Sequence, residues 1–97
     1  MIEILWEFVV AEEKKQEFER HYGSAGTWAQ FFRSSASYRG TTLLAGEGNR
    51  YITCDRWESQ LEYEQFRRSH AAEYSALDRR LEPLIQSERS MGIFELK

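Results

Sequence analysis

The stretch Arg50–His70, RYITCDRWESQLEYEQFRRSH, decides how this chain folds, because it holds a strand, a helix start and the join between them. Tyr51 to Trp57 is rich in β-branched and aromatic residues and reads as a strand. Ser59, followed three residues later by Glu62, has the spacing of a capping box, in which a hydroxyl accepts from an otherwise unpaired amide of the first turn. A helix is therefore predicted to begin just after Glu58. Tyr63, Phe66, His70, Tyr74, Leu77 and Leu81 then recur at intervals of three and four, one face of a continuous helix running to about Glu82. Pro83 lacks an amide proton and discourages continuation.

Upstream of this stretch, Tyr38 to Ala45 is a second strand-like run, joined to Tyr51–Trp57 by GEGN, Gly46 to Asn49. The glycines suit a hairpin turn, so the two runs are expected to pair antiparallel. Downstream, Ser90 to Leu96 carries Met91, Ile93, Phe94 and Leu96 and reads as a closing strand. At the other end, Ile2 to Val10 places Ile2, Ile4, Trp6, Phe8 and Val10 on one face and Glu3, Leu5, Glu7 and Val9 on the other. Ala11 to Tyr22 is a charged helix with Phe18 and Tyr22 four apart, and Gly23 is the expected left-handed stop. Thr27 and Gln30 have capping-box spacing for a short helix whose apolar face is Trp28, Phe31 and Phe32.

The predicted order is strand, helix with a short extra helix, strand, strand, helix, strand. That is an α+β, ferredoxin-like split βαβ arrangement (βαββαβ): a four-stranded antiparallel sheet with its helices on one face. The 97 residues show no composition shift or repeat, so residues 1–97 form a single domain. A domain this small buries only about 60–65% of its unfolded surface, and a partner subunit is one way to add stability. Once the helices cover the Trp6 and Phe8 side of the first strand, nothing in the chain remains to cover Leu5 and Val9. A homodimer packed sheet to sheet is expected.

Composition narrows the function classes. With 41% hydrophobic and 30% charged residues the chain is neither disordered nor membrane-spanning, and no apolar run approaches the roughly 20 residues a bilayer requires. The net charge is −3, and Arg67-Arg68 and Arg79-Arg80 are interleaved with glutamates, which argues against nucleic acid as a partner. Cys54 is the only cysteine. It reads as a small buried hydrophobe, excludes an intrachain disulfide and suits a reducing compartment, the cytoplasm. MIEILWEFVV has no basic leader and no small-residue cleavage site, so it does not read as a signal peptide. No histidines and carboxylates cluster at metal spacing, and no glycine-rich phosphate loop follows a strand.

YGSAGTWAQFF leading into YRGTTLL, then RYITCDRWES and FRRSHAAEYSALDRRLE, give an order of elements that resembles the antibiotic biosynthesis monooxygenase family of dimeric α/β barrels. The likeness runs from about Ile4 to Phe94, and its most specific part is DRWESQLEYEQF: a strand ending in tryptophan, a serine cap, and a helix with an aromatic one turn in. The resemblance implies a cavity between sheet and helices that takes a small aromatic or polyketide-like molecule. It also implies oxygenation without metal or flavin, in which an enolisable substrate is deprotonated and its carbanion reacts with dioxygen. A non-catalytic dimeric binding or accessory protein of the same fold is the alternative.

For the site, the resemblance implies that Trp57 donates from its indole, with Thr53 where some oxygenases of the family carry an asparagine. His70 lies within the helical stripe and is either a base lining the cavity or a histidine satisfied by a carbonyl or tyrosine hydroxyl. Thr53, Trp57 and His70 are the catalytic candidates. Phe66 and Tyr74 would line the same pocket, and Trp28, Phe32 and Tyr38 would roof it, with glycines at 23 and 26 letting that segment move. The competing reading makes each aromatic a packing residue. Arg56 alternates with Trp57, so it faces away from this pocket and toward the expected dimer interface. Haem-degrading relatives use an asparagine on the first strand and a tryptophan and a histidine on the second long helix. Here the one asparagine is Asn49 in the turn, and the helical positions hold Phe66 and Ala76, so haem breakdown is not expected.

Overall fold

A computed structural model describes all 97 residues. The strands are β1 (Ile2–Val9), β2 (Tyr38–Ala45), β3 (Arg50–Trp57) and β4 (Ser87–Glu95). The helices are α1 (Lys15–Tyr22), α2 (Thr27–Phe32), α3 (Gln60–Ser69) and α4 (Ala71–Leu81). The sheet has the order β2-β3-β1-β4, and every neighbouring pair is antiparallel. This is the expected ferredoxin-like topology, with all helices on one face.

The alternation of β1 works as its residues dictate. Ile2, Ile4 and Phe8 are buried beneath the helices, opposite Trp57, Asp55 and Tyr51 of β3. Phe18 and Tyr22, one turn apart on α1, stack with ring centroids 4.3 Å apart and close over Phe8 and Tyr51. A fully buried ring such as Phe18 contributes about 1.5–3 kcal/mol through lost water contact. The hairpin between β2 and β3 turns on Gly48 and Asn49, both with positive φ (67° and 64°), as GEGN predicted.

The second long helix starts as its cap requires: the Glu62 amide donates to Ser59 Oγ at 3.2 Å. It does not run unbroken to Glu82. His70 has φ −120° and ψ 30°, outside the helical range, and divides α3 from α4. Its backbone amide keeps the helical bond to the Phe66 carbonyl at 3.0 Å, and its ring Nδ1 lies 3.1 Å from the same oxygen. The apolar stripe survives the break: Tyr63, Phe66 and Leu81 are buried, and Tyr74 and Leu77 pack against the core.

Three further expectations are corrected. Glu12–Lys14 is a single 3-10 turn, so α1 is shorter than Ala11–Tyr22. Gly23 is extended (φ −74°, ψ 176°) rather than left-handed, and glycine is needed there because a Cβ would meet the Glu19 carbonyl oxygen at 2.8 Å. Thr27 makes no capping box with Gln30: Gly26 caps α2, Thr27 Oγ1 pairs with His21 Nδ1 at 2.7 Å, and Gln30 donates to the Ala25 carbonyl.

Two bulges adjust the register. One at Arg39 lets Tyr38 oppose Trp57 while Thr41, not Gly40, opposes Asp55. The other lies in β4, where Gly92 (φ 111°) opposes Leu5 and Ser90 opposes Trp6. The face of the sheet away from the helices carries Leu5, Val9, Leu44, Ile52 and Phe94, with Leu44 and Phe94 about half exposed. Among them run ion pairs from Arg56 to Glu3 (3.4 Å) and from Arg50 and Arg89 to Glu7 (2.9 and 3.0 Å).

Candidate functional site

The odd-numbered residues of β3 point under the helices: Tyr51, Thr53, Asp55 and Trp57. Tyr51 and Trp57 are absorbed into the core, and the two residues between them border a cavity of about 360 Å³. The sheet supplies its floor through Trp6, Phe8, Thr41, Thr53 and Asp55. Tyr22 of α1 and Trp28 and Phe32 of α2 form the roof. Tyr63 and Arg67 of α3, Tyr74 and Asp78 of α4, and Glu88 of β4 complete the wall.

The polar centre of the floor is Asp55. Thr41 donates its hydroxyl proton to Asp55 Oδ1 at 2.6 Å, and a hydroxyl has one proton to give. The contact of 2.5 Å between Tyr38 and Thr41 therefore runs from the tyrosine to the threonine, and Tyr38, Thr41 and Asp55 form a directed chain. Asp55 belongs to no ion pair. Burial pushes its carboxyl up to about 6, and the Thr41 hydrogen bond opposes that shift.

The aromatic wall is neutral around neutral pH. Burial raises the phenols of Tyr63 and Tyr74 above their ordinary value and pushes Tyr22 up to about 12. Arg67 lies over the Tyr74 ring, 4.2 Å from its centroid, and 5.9 Å from that of Tyr63. Trp28 packs against Tyr74 (centroids 5.0 Å apart) and Phe32 (5.6 Å). Its Nε1 is buried with no acceptor in hydrogen-bond geometry, Tyr22 included.

Of the residues singled out in the sequence, Thr53, Tyr74, Trp28 and Phe32 meet at this cavity. Tyr38 reaches it through Thr41. Trp57, Phe66 and His70 lie outside the lining. Trp57 is sealed, with no exposed surface, among Phe32, Tyr38, Tyr63 and Phe66, and its indole N–H has no partner. His70 stacks on Phe66 (centroids 4.3 Å apart), at the helix break. Arg39 pairs with Glu58 at 2.7 Å, and Arg56 is on the opposite sheet face, as its alternation with Trp57 predicted.

Sequence reasoning missed Asp55, Thr41, Trp6, Arg67, Asp78 and Glu88. One signal was available: Asp55 interrupts the inward series Tyr51, Thr53, Trp57, and a carboxylate in inward register on a central strand requires an explanation. Arg67, Asp78 and Glu88 are exposed at the rim and look like ordinary surface charges until the fold brings them together.

No sequence-family profile matches the chain, and no curated protein does. Solved structures do. A Nitrosomonas europaea protein provisionally named an antibiotic biosynthesis monooxygenase superposes with TM-score 0.69 at 11% identity, over 99% of this chain and 98% of that one. A Deinococcus radiodurans protein with the same provisional name gives 0.73 at 11% identity, over 100% and 93%. The Mycobacterium tuberculosis protein Rv0793 gives 0.66 at 14% identity, over 99% and 94%. At these identities the likeness establishes a shared fold over essentially the whole chain.

Proposed function

We propose that this protein is a homodimeric, cytoplasmic small-molecule enzyme of the antibiotic biosynthesis monooxygenase type, oxygenating an enolisable aromatic, polyketide-like compound without metal or flavin. The observation that carries this reading is the aromatic-walled cavity of about 360 Å³ between sheet and helices. Its size falls in the range of about 300–1,000 Å³ typical of small-molecule sites. Trp6, Trp28, Tyr22 and Tyr74 offer faces and edges to a flat ring system, and Thr53 and Asp55 offer polar contacts from the sheet floor. Enclosing the substrate there orients it and removes water from the carbanion that meets dioxygen. The shared fold with proteins given that provisional name agrees with the reading.

The homodimer rests on the uncovered sheet face. Leu5, Val9, Ile52, Leu44 and Phe94 form its apolar part, and pairing two copies through it would bury the roughly 1,000 Å² or more that a stable interface needs.

The second reading, a binding or accessory protein without catalysis, is favoured by one observation: Trp57 and His70, the expected donor and base, both lie outside the lining. Oxygen uptake and product analysis against a panel of anthrones and quinols separates the two. Turnover supports the enzyme; tight binding without turnover, from a verified dimer, supports the accessory role.

A further inference from the structure

We propose that Asp55 is the proton acceptor of this cavity, held in position by Thr41 and Tyr38, and that the site therefore acts on carbon acids whose C–H bond is presented to the free carboxylate oxygen. The proposal rests on the reading of the cavity as a small-molecule site and names the group that begins its chemistry.

The geometry carries it in three ways. First, one carboxylate oxygen is fixed: Oδ1 accepts from Thr41 at 2.6 Å, and Thr41 accepts from Tyr38. A base whose orientation is set in advance loses less freedom when substrate arrives. Second, the other oxygen is free. The only side-chain nitrogen or oxygen atoms that are both sealed and unpartnered are Trp28 Nε1 and Trp57 Nε1. Asp55 Oδ2 has no protein partner either, so it keeps accessible surface, and the space Asp55 borders is the cavity. Third, this carboxylate is set into the sheet floor with no ion pair, whereas Asp78 and Glu88 stand exposed at the rim, where water competes for them. A carboxylate without a cation and partly removed from water is a stronger base, and its value of about 6 leaves it ionised at neutral pH.

The step is a proton transfer with no change of oxidation state. The C–H bond breaks, its electron pair stays in the ring system as an enolate with the charge on the conjugated oxygen, and the proton forms an O–H bond with Asp55 Oδ2. The charged or titratable groups that share the cavity are Arg67 and Tyr63 of α3, Tyr74 and Asp78 of α4, Tyr22 of α1 and Glu88 of β4. The three phenols are all raised by burial and stay neutral, and Arg67 is the one cation facing the developing enolate. Glu88 is also raised, first by burial, and is the competing candidate for any titration observed.

The test is anaerobic mixing of the full chain with anthrone. Enolate absorbance is followed from pH 5 to 8, and affinity is measured separately by calorimetry. Wild type is expected to form enolate at a rate that rises with an inflection near 6. Asp55→Asn should slow this step by about 10²–10⁴-fold and abolish the inflection, with affinity changed only a few-fold. Thr41→Val, which removes the hydrogen bond opposing the shift, should move the inflection upward. Enolate formation by Asp55→Asn at the wild-type rate would overturn the proposal, as would an inflection lost in Glu88→Gln instead. Binding of anthrone by wild type without enolate formation would overturn the base while leaving the cavity reading intact. No binding at all would overturn that reading, and this proposal with it.

Discussion

Asp55 and Trp57 leave the same face of β3 two residues apart, yet only the carboxylate borders the cavity; the indole is sealed behind Phe32 and Tyr38. The strand delivers both residues inward, and the Arg39 bulge then decides their surroundings by setting Tyr38 against Trp57 and Thr41 against Asp55. A cavity-lining residue and a core residue are thereby separated along one short segment.

The first consequence is a pH-dependent stability. The Asp55 carboxyl is raised from 3.8 to about 6 in the fold, so folding favours its protonated form. The stabilisation is fully present below the unfolded value and is lost as pH rises through about 6. A gap of about two units amounts to at most about 3 kcal/mol. Asp55→Asn keeps an acceptor for Thr41 and carries no charge. In urea unfolding it should match wild type near pH 4 and exceed it by up to that amount at pH 7.5; an equal difference at both pH values would contradict this.

Trp57 should behave as core and not as site. Trp57→Ala removes a fully buried indole and is expected to cost about 3–5 kcal/mol. Trp57→Phe also removes an N–H that has no acceptor, which offsets part of the lost packing, so its cost should stay near 1 kcal/mol. Ligand affinity of Trp57→Phe, measured by calorimetry, should be within a few-fold of wild type. A large loss of affinity with stability intact would return the indole to the site.

Gly40 and Gly26 should both resist alanine, for different reasons. Gly40 has φ 114° and open space around it, so Gly40→Ala costs conformational strain of about 1–3 kcal/mol. Gly26 has ordinary dihedrals, but a Cβ would lie 2.6 Å from the His21 carbonyl oxygen, a clash that forces α2 away from α1. Such overpacking costs about 1–3 kcal/mol. Thermal unfolding reads both losses. Only Gly40→Ala should also shift the Asp55 titration, because it disturbs the bulge that presents Thr41.

The uncovered sheet face gives a test of assembly. Ile52 sits at its centre between Glu7 and Leu44, so Ile52→Lys places an unpaired charge where a second copy is expected to pack. Light scattering should give a dimer for wild type and a monomer for the variant. A monomeric wild type at micromolar concentration would refute the homodimer.

The topology was legible in the sequence because its signals are local: alternation in Ile2–Val10, glycines in GEGN, and the Ser59 cap. The site was only half legible. Tyr74, Trp28 and Phe32 were found because their faces follow from helical periodicity, and Thr53 because the family resemblance pointed to the position four before Trp57. The Thr41–Asp55 pair was not, because it depends on one extra residue in a neighbouring strand, and the one mark of that bulge in YRGTT, Gly40 inside a strand run, does not say how the register shifts. The helix break at His70 was hidden for a related reason: no proline or glycine marks it, and the apolar stripe continues across it.

The pairing of β1 with β4 also has a consequence for how the molecule is made. Ile2 lies beside Glu95, so the earliest strand finds one of its two neighbours only when the last has emerged from the ribosome. Until then β1 can pair with β3 alone, leaving its other edge open to any extended chain nearby. The cavity also lacks Glu88 during that interval. Such distant pairing slows folding, and the interval before β4 docks is when the nascent chain is most exposed to aggregation.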